Sequence, residues 1–198
     1  VEREAEVLDI LRQTGAIRDG HFLLASGLHS PTYVEKFQVL QWPDQTERLC
    51  RMIAGQFHSA GVQVVAGPTT GGVIIAYETA RQLGVRGIFA EREGSGKDET
   101  RRFRRGFNIA PGERVLIVDD ITTTGGSLRE MLDEVNRHQG QVVAIAVLVL
   151  REARPVDLGV PVFPLLRLDI PTYDPANCPM CARGIPIIKP GSGSLQPS

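Results

Sequence analysis

The segment Val115-Leu116-Ile117-Val118-Asp119-Asp120-Ile121-Thr122-Thr123-Thr124-Gly125-Gly126-Ser127 constrains the fold more than any other. Four consecutive apolar residues read as a strand buried on both faces, which is the habit of parallel sheets covered by helices. The strand delivers two adjacent carboxylates to its carboxyl end, where open α/β sheets bind ligands. A loop of hydroxyls and glycines follows, and then a helix from Ser127 to Gln139. Backbone N–H groups of such a loop, with a helix N-terminus behind them, cradle a phosphate. The Gly-Lys-Ser/Thr ending of a Walker loop is absent. A phosphate cradle beside two acids suits a ligand carrying both a phosphate and a diol, such as a ribose 5-phosphate.

The rest of the chain supplies the sheet this strand needs. Strands are predicted over Val62–Ala66, Arg86–Ala90, Arg114–Val118, Gln141–Leu150 and Val162–Leu168, with a helix over Gly71–Leu83 between the first two. Helices over Val1–Thr14 and from Pro43 to about Ala60 precede them. Between these, His21–Gln41 reads as short extended pieces, the last being Phe37-Gln38-Val39. Trp42 reads as a core or interface anchor, and Met52 and Met131 as core. The expected architecture is α/β, a five-stranded parallel core with a small hood from about 15–41. It forms a single domain over 1–190, followed by a disordered tail over 191–198. With 198 residues, such a chain builds a sufficient core without disulfides or metal.

Net charge is −1, so nucleic acid and anionic membrane have no general electrostatic claim on the molecule. The longest apolar run, Val142–Leu150, is far short of the roughly 20 residues that span a bilayer. The N-terminus is charged, unlike a signal peptide. Three cysteines without a framework fit a reducing, cytoplasmic setting. Cys178 and Cys181 have zinc-knuckle spacing, but a structural zinc needs four ligands. No second pair exists, and His21, His29, His58 and His138 show no ligand spacing. The expectation is therefore no protein-held metal unless two subunits share one, with His21 and His29 as polar loop residues.

The acid-pair segment resembles the phosphoribosyl-pyrophosphate signature of the type I phosphoribosyltransferases. Gly20-His21-Phe22-Leu23-Leu24-Ala25-Ser26-Gly27-Leu28-His29-Ser30-Pro31-Thr32-Tyr33 is similar to the N-terminal segment of the orotate phosphoribosyltransferases. Gly67-Pro68-Thr69-Thr70-Gly71-Gly72 is similar to that family's diphosphate loop, and Phe89-Ala90-Glu91-Arg92-Glu93 to its next strand. The ending Asn177-Cys178-Pro179-Met180-Cys181-Ala182-Arg183-Gly184-Ile185-Pro186 resembles a tail of one bacterial branch.

The resemblance implies transfer of a phosphoribosyl group to orotate, giving orotidine 5′-monophosphate and diphosphate in pyrimidine synthesis. Mg²⁺ would ride mainly on the diphosphate, and the assembly would be a homodimer with shared sites. It implies that Asp119 and Asp120 hold the ribose hydroxyls. Thr122, Thr123, Thr124, Gly125, Gly126 and Ser127 would hold the 5′-phosphate, and Thr69, Thr70, Gly71 and Gly72 the diphosphate. Ser26, Gly27 and Tyr33 would face the ligands from the hood, and Arg151 would meet the orotate carboxylate.

The catalytic cation is sought in residues 94–109, where Lys97–Arg105 carries five positive and two negative charges between glycines. This stretch reads as a mobile lid, too charged to pack on its own core. Lys97, Arg92, Arg101 and Arg102 compete for the role. The chain departs from the family at Ala25, where a Lys or Arg is usual, and at Leu150, where Asp usually precedes the Arg. Two other readings stay open: a transferase for a purine base, and a non-catalytic regulator that senses phosphoribosyl pyrophosphate and binds RNA or DNA through Arg101–Arg105.

Overall fold

The structure is a computed structural model and describes residues 2–24, 26–94, 100–151 and 157–190. Helix α1 (Glu2–Gln13) leads into an antiparallel hairpin of β1 (Ile17–Leu23) and β2 (His29–Val34). A short α2 (Phe37–Leu40) and α3 (Pro43–Phe57) follow. Then come β3 (Val64–Pro68), α4 (Gly71–Leu83), β4 (Arg86–Glu93), β5 (Thr100–Phe103), β6 (Arg114–Thr122), α5 (Gly126–Arg137), β7 (Gln141–Arg151) and β8 (Val162–Leu168). A 3₁₀ turn (Pro175–Asn177) and the four-residue α6 (Pro179–Ala182) end the described chain.

The main sheet has the order β5-β4-β3-β6-β7-β8. β4, β3, β6, β7 and β8 run parallel, as the sequence predicts, and β5, inside the stretch read as a mobile lid, pairs antiparallel with β4 at the edge. Val7, Leu11, Ile53, Ile75, Leu116 and Val118 meet in a core on the face covered by α1, α3 and α4. Leu128, Met131 and Val135 of α5 cover the other face, against Ile117, Ile145 and Val147. The chain therefore leaves β3 toward one face through α4 and leaves β6 toward the other through α5. These two strands are neighbours, so a crevice opens between their carboxyl ends, the point where doubly wound sheets bind ligands.

Three local expectations are corrected. Phe37-Gln38-Val39 is helical, because a turn of backbone bonds from Lys36 and Phe37 folds Val39 and Leu40 into the core. Of the two readings of Trp42, core or interface anchor, the core one falls: the residue is 52% exposed at the N-cap of α3. His21 and His29 are not loop residues. They lie on the paired strands β1 and β2, and both are buried. The expected tail over 191–198 lies outside the described residues.

Candidate active site

β6 runs two residues past the acids, so Asp119 and Asp120 are strand residues whose side chains lean to opposite faces. Asp119 turns toward α5. Its Oδ2 accepts from Ser127 Oγ at 2.9 Å, and its Oδ1 from the Asp120 N–H at 2.8 Å. Asp120 turns toward α4 and the hood, where Lys36 Nζ lies 3.0 Å from its Oδ2. Both carboxylates are almost fully buried. Burial, and then the neighbouring Asp120 charge, push the Asp119 carboxyl up to about 7, while Ser127, the Asp120 amide and Lys36 pull the other way. Among the described residues, two acids held this close with one lysine against them form a site short of positive charge.

The loops beside them are built for close approach. Gly125 sits at φ 77° as the residue before α5, a left-handed conformation that glycine adopts without a Cβ penalty. Thr122 is buried, whereas Thr123, Thr124 and Gly126 are exposed around the helix N-terminus. On the other side of the crevice, Gly71 opens α4 directly against the Asp120 carboxylate. A Cβ there would collide with Oδ2. The diphosphate-type loop and the acid pair are thus one packed unit, with the cis Thr69–Thr70 peptide at its rim.

Arg101 reaches this loop from β5, donating from NH1 to Thr69 O at 3.3 Å and Thr69 Oγ1 at 3.4 Å. Its Nε lies 3.2 Å from Glu130 of α5, and the side chain is 4% exposed. The expectation that 97–105 is too charged to pack on its own core therefore fails at β5. Arg102 meets Glu134, a fully buried carboxylate that also accepts from the Phe103 N–H at 2.7 Å and from Arg137. Acids of α5 neutralise the strand, and sequence spacing alone did not join residues 30 positions apart. Arg92 is exposed on β4 opposite Arg101. Lys97 and Ala25 lie outside the described residues.

The hood places Ser26 and Gly27 in an exposed turn, closed by the Gly27 N–H donating to Leu24 O at 2.9 Å. Tyr33 stacks near Phe22, with ring centroids 5.6 Å apart. Burial first, and Glu35 second, raise its phenol, and Arg151 acts on it in the opposite sense. Arg151 ends β7, the next strand along the same carboxyl edge. Burial lowers its guanidinium below the usual arginine range, and among the described residues no carboxylate pairs with it. Leu150, by alternation, points into the core and fills it. Lys36 is the functional residue missed by sequence reasoning. Its signal is weak: one lysine after Tyr33-Val34-Glu35, with no motif around it.

A profile of the phosphoribosyl transferase domain matches residues 38–169. The orotate phosphoribosyltransferase of Pelotomaculum thermopropionicum is 50% identical over 190 residues, 96% of this chain and 98% of that relative. Its counterpart in Desulforamulus reducens is 48% identical over 190 residues, 96% and 97% of the two chains. Among solved structures, the Aeropyrum pernix orotate phosphoribosyltransferase superposes with a TM-score of 0.68 at 25% identity, covering 82% of this chain and 93% of that one. An acid pair and two glycine loops at the crevice, on this fold, with near-complete alignment to such relatives, place the chain in the orotate phosphoribosyltransferase family.

Proposed function

We propose that the chain transfers the 5-phosphoribosyl group of phosphoribosyl pyrophosphate to orotate, yielding orotidine 5′-monophosphate and diphosphate. One observation carries this reading beyond family membership. The buried Asp119–Asp120 pair stands between two phosphate-type loops, while a desolvated Arg151 at the same edge lacks a carboxylate partner among the described residues. A sugar that becomes cationic as diphosphate leaves is stabilised by carboxylates fixed beforehand in a dry crevice. Asp119 and Asp120 hold the ribose hydroxyls there. The N–H groups of Thr122–Ser127 hold the 5′-phosphate, and those of Thr69–Gly72 the diphosphate. Arg101 braces Thr69 and thus keeps that loop in register. The Arg151 fork pairs with the planar carboxylate that orotate carries, and Tyr33, Ser26 and Gly27 cover the ligands from the hood.

The donor set fits Mg²⁺. Asp119 and Asp120 offer hard oxygens without closing a protein cage, which suits an ion that keeps waters and substrate phosphates as ligands. When bound with the diphosphate at Thr69–Gly72, it neutralises charge on the leaving group. A homodimer fits the exposed Phe37 on α2, Trp42 at the N-cap of α3, and Ile74 and Tyr77 on α4, apolar surface that a second copy would cover. No helix among the described residues is long and apolar enough to cross a membrane, and the three unpaired cysteines suit the cytoplasm.

The test follows orotate by its ultraviolet absorbance with phosphoribosyl pyrophosphate, with and without Mg²⁺. Mg²⁺-dependent loss of orotate with formation of orotidine 5′-monophosphate is expected. Turnover of adenine instead of orotate would replace the base, and turnover of neither would remove the activity.

A further inference from the structure

The hairpin and the C-terminal segment together bring four metal-binding side chains to one point. His21, His29, Cys178 and Cys181 each offer one ligand atom, and all four atoms lie within 4.8 Å of one another. His21 Nε2 is 2.9 Å from His29 Nδ1, 3.6 Å from Cys178 Sγ and 3.7 Å from Cys181 Sγ. Cys181 Sγ is 3.3 Å from His29 Nδ1. A tetrahedral zinc with two thiolates and two imidazoles sets its ligand atoms roughly 3.3–3.8 Å apart, given the usual Zn–S and Zn–N lengths. The three sulfur–nitrogen separations of 3.3, 3.6 and 3.7 Å fall in that range, and the two imidazole nitrogens stand slightly closer.

Its outer contacts point the same way. His21 Nδ1 lies 2.7 Å from the Ile185 carbonyl oxygen. A carbonyl only accepts, so His21 donates from Nδ1, and Nε2 is the nitrogen that faces the other three groups. This is the arrangement by which a backbone carbonyl orients a metal-ligating histidine. Cys178 caps α6 and Cys181 lies in its single turn, and both sulfurs come to His21 Nε2. His21 and His29, eight apart in sequence, are brought together by the fold-back of β1 onto β2.

The packing leaves a need for such a staple. From residue 171 to residue 190 only Cys178 and Met180 are buried. A four-residue helix does not support itself in water. Yet the segment is held against the hairpin on two sides. His29 and Tyr173 exchange backbone hydrogen bonds of 2.9 Å, and Ile188 bonds to Leu23 and His21 at 2.9 and 2.7 Å.

We propose that His21, His29, Cys178 and Cys181 form a structural zinc site within one chain, clamping the C-terminal segment onto the hood hairpin. Zn²⁺ replaces the two thiol protons, which pass to solvent, and two thiolates with two neutral imidazoles leave the centre uncharged. Two sulfurs and two nitrogens select zinc over Mg²⁺, which takes oxygen ligands. The four ligands are closed on one another, so this site is structural, distinct from the crevice at Asp119. The clamp holds the hairpin whose turn carries Ser26 and Gly27.

The test measures metal in protein purified without chelators, by plasma mass spectrometry against chain concentration. Close to one zinc per chain is expected. Replacement by Co²⁺ should give intense visible bands of a tetrahedral ion and a near-ultraviolet thiolate charge-transfer band. Cys181→Ser removes an exposed ligand and should weaken Zn²⁺ binding by more than roughly 100-fold. Hydrogen exchange at the His29, Tyr173 and Ile188 amides should quicken in the metal-stripped wild type and slow again on adding Zn²⁺. Zinc that is absent both as purified and after dialysis against Zn²⁺ would overturn the proposal. So would a Co²⁺ spectrum without thiolate bands, unchanged zinc in Cys181→Ser, or an iron–sulfur chromophore.

Discussion

β6 and β5 both carry charge into buried positions, and they do opposite things with it. On β6, the one ion pair to Asp119 and Asp120 among the described residues is Lys36 with Asp120. On β5, Arg101 and Arg102 are met by Glu130 and Glu134, and Glu134 also takes Arg137 and a backbone amide. The first strand keeps a surplus of negative charge at the mouth of a crevice. The second is neutralised by its own fold. Buried charge that the chain leaves uncompensated marks where a ligand of opposite sign belongs, while compensated charge marks a fastening. By this criterion β5 fastens the loop at Thr69 through Arg101.

The largest effect that can break this contrast is on turnover. Asp119→Asn with Asp120→Asn should lower kcat/KM by roughly 10³-fold or more, because the lost carboxylates act on charge that exists only in the transition state. Circular dichroism should show the fold retained. A double variant with near wild-type rates would mean that the surplus charge is not used on the sugar. At β5 the expected damage falls on stability. Glu134→Ala leaves the buried Phe103 amide without its acceptor and releases the partly exposed Arg102 and Arg137, and should cost about 1–3 kcal/mol in urea unfolding. If Glu134→Ala unfolds like wild type, β5 is not fastened through that residue.

The contrast also separates what was legible in the sequence from what was not. The acid pair, its cradle and the helix behind it are contiguous, so local order in the chain announces them. The boundaries of α4 and β8 follow equally from apolar pattern and a following glycine or polar turn. β5 was hidden because its partners, Glu130 and Glu134, lie on a helix that arrives 30 residues later. The His21, His29, Cys178 and Cys181 cluster was hidden for the same reason on a larger scale, with about 150 residues between its halves. Lys36 lacked any motif around it. Local periodicity conveys elements, whereas charge compensation and ligand sets are properties of the fold.

A smaller and more selective effect is expected at Arg151. Arg151→Ala should raise KM for orotate roughly 10- to 100-fold, the worth of a charge-assisted bidentate pair, and leave KM for phosphoribosyl pyrophosphate within a few-fold. Parallel increases for both substrates would place Arg151 outside the base pocket and make it another fastening, like Arg102.

The smallest effect is in the pH dependence of stability, and it tests whether Asp119 is under the strain its surroundings imply. The carboxyl is pushed from an ordinary 3.8 to about 7, by burial first and by Asp120 second. Below about pH 4 the folded and unfolded chains both hold this proton, and Asp119 contributes nothing to the difference. Between about pH 4 and 7 the folded chain keeps a proton that the unfolded chain has released, so stability falls as pH rises through that window. Above about 7 both are ionised and the penalty is complete. Asp119→Asn is neutral throughout and escapes it, while the other titrating groups remain common to both proteins. Thermal melts of the two should therefore draw apart in favour of the variant as pH climbs from 4.5 to 8, by on the order of a few °C. Lys36→Gln, which removes the cation nearest the pair, should widen the gap. If the two melting curves stay parallel over the whole range, Asp119 is already ionised at low pH. Its charge is then compensated as fully as that of Glu134, and the difference between the two strands disappears.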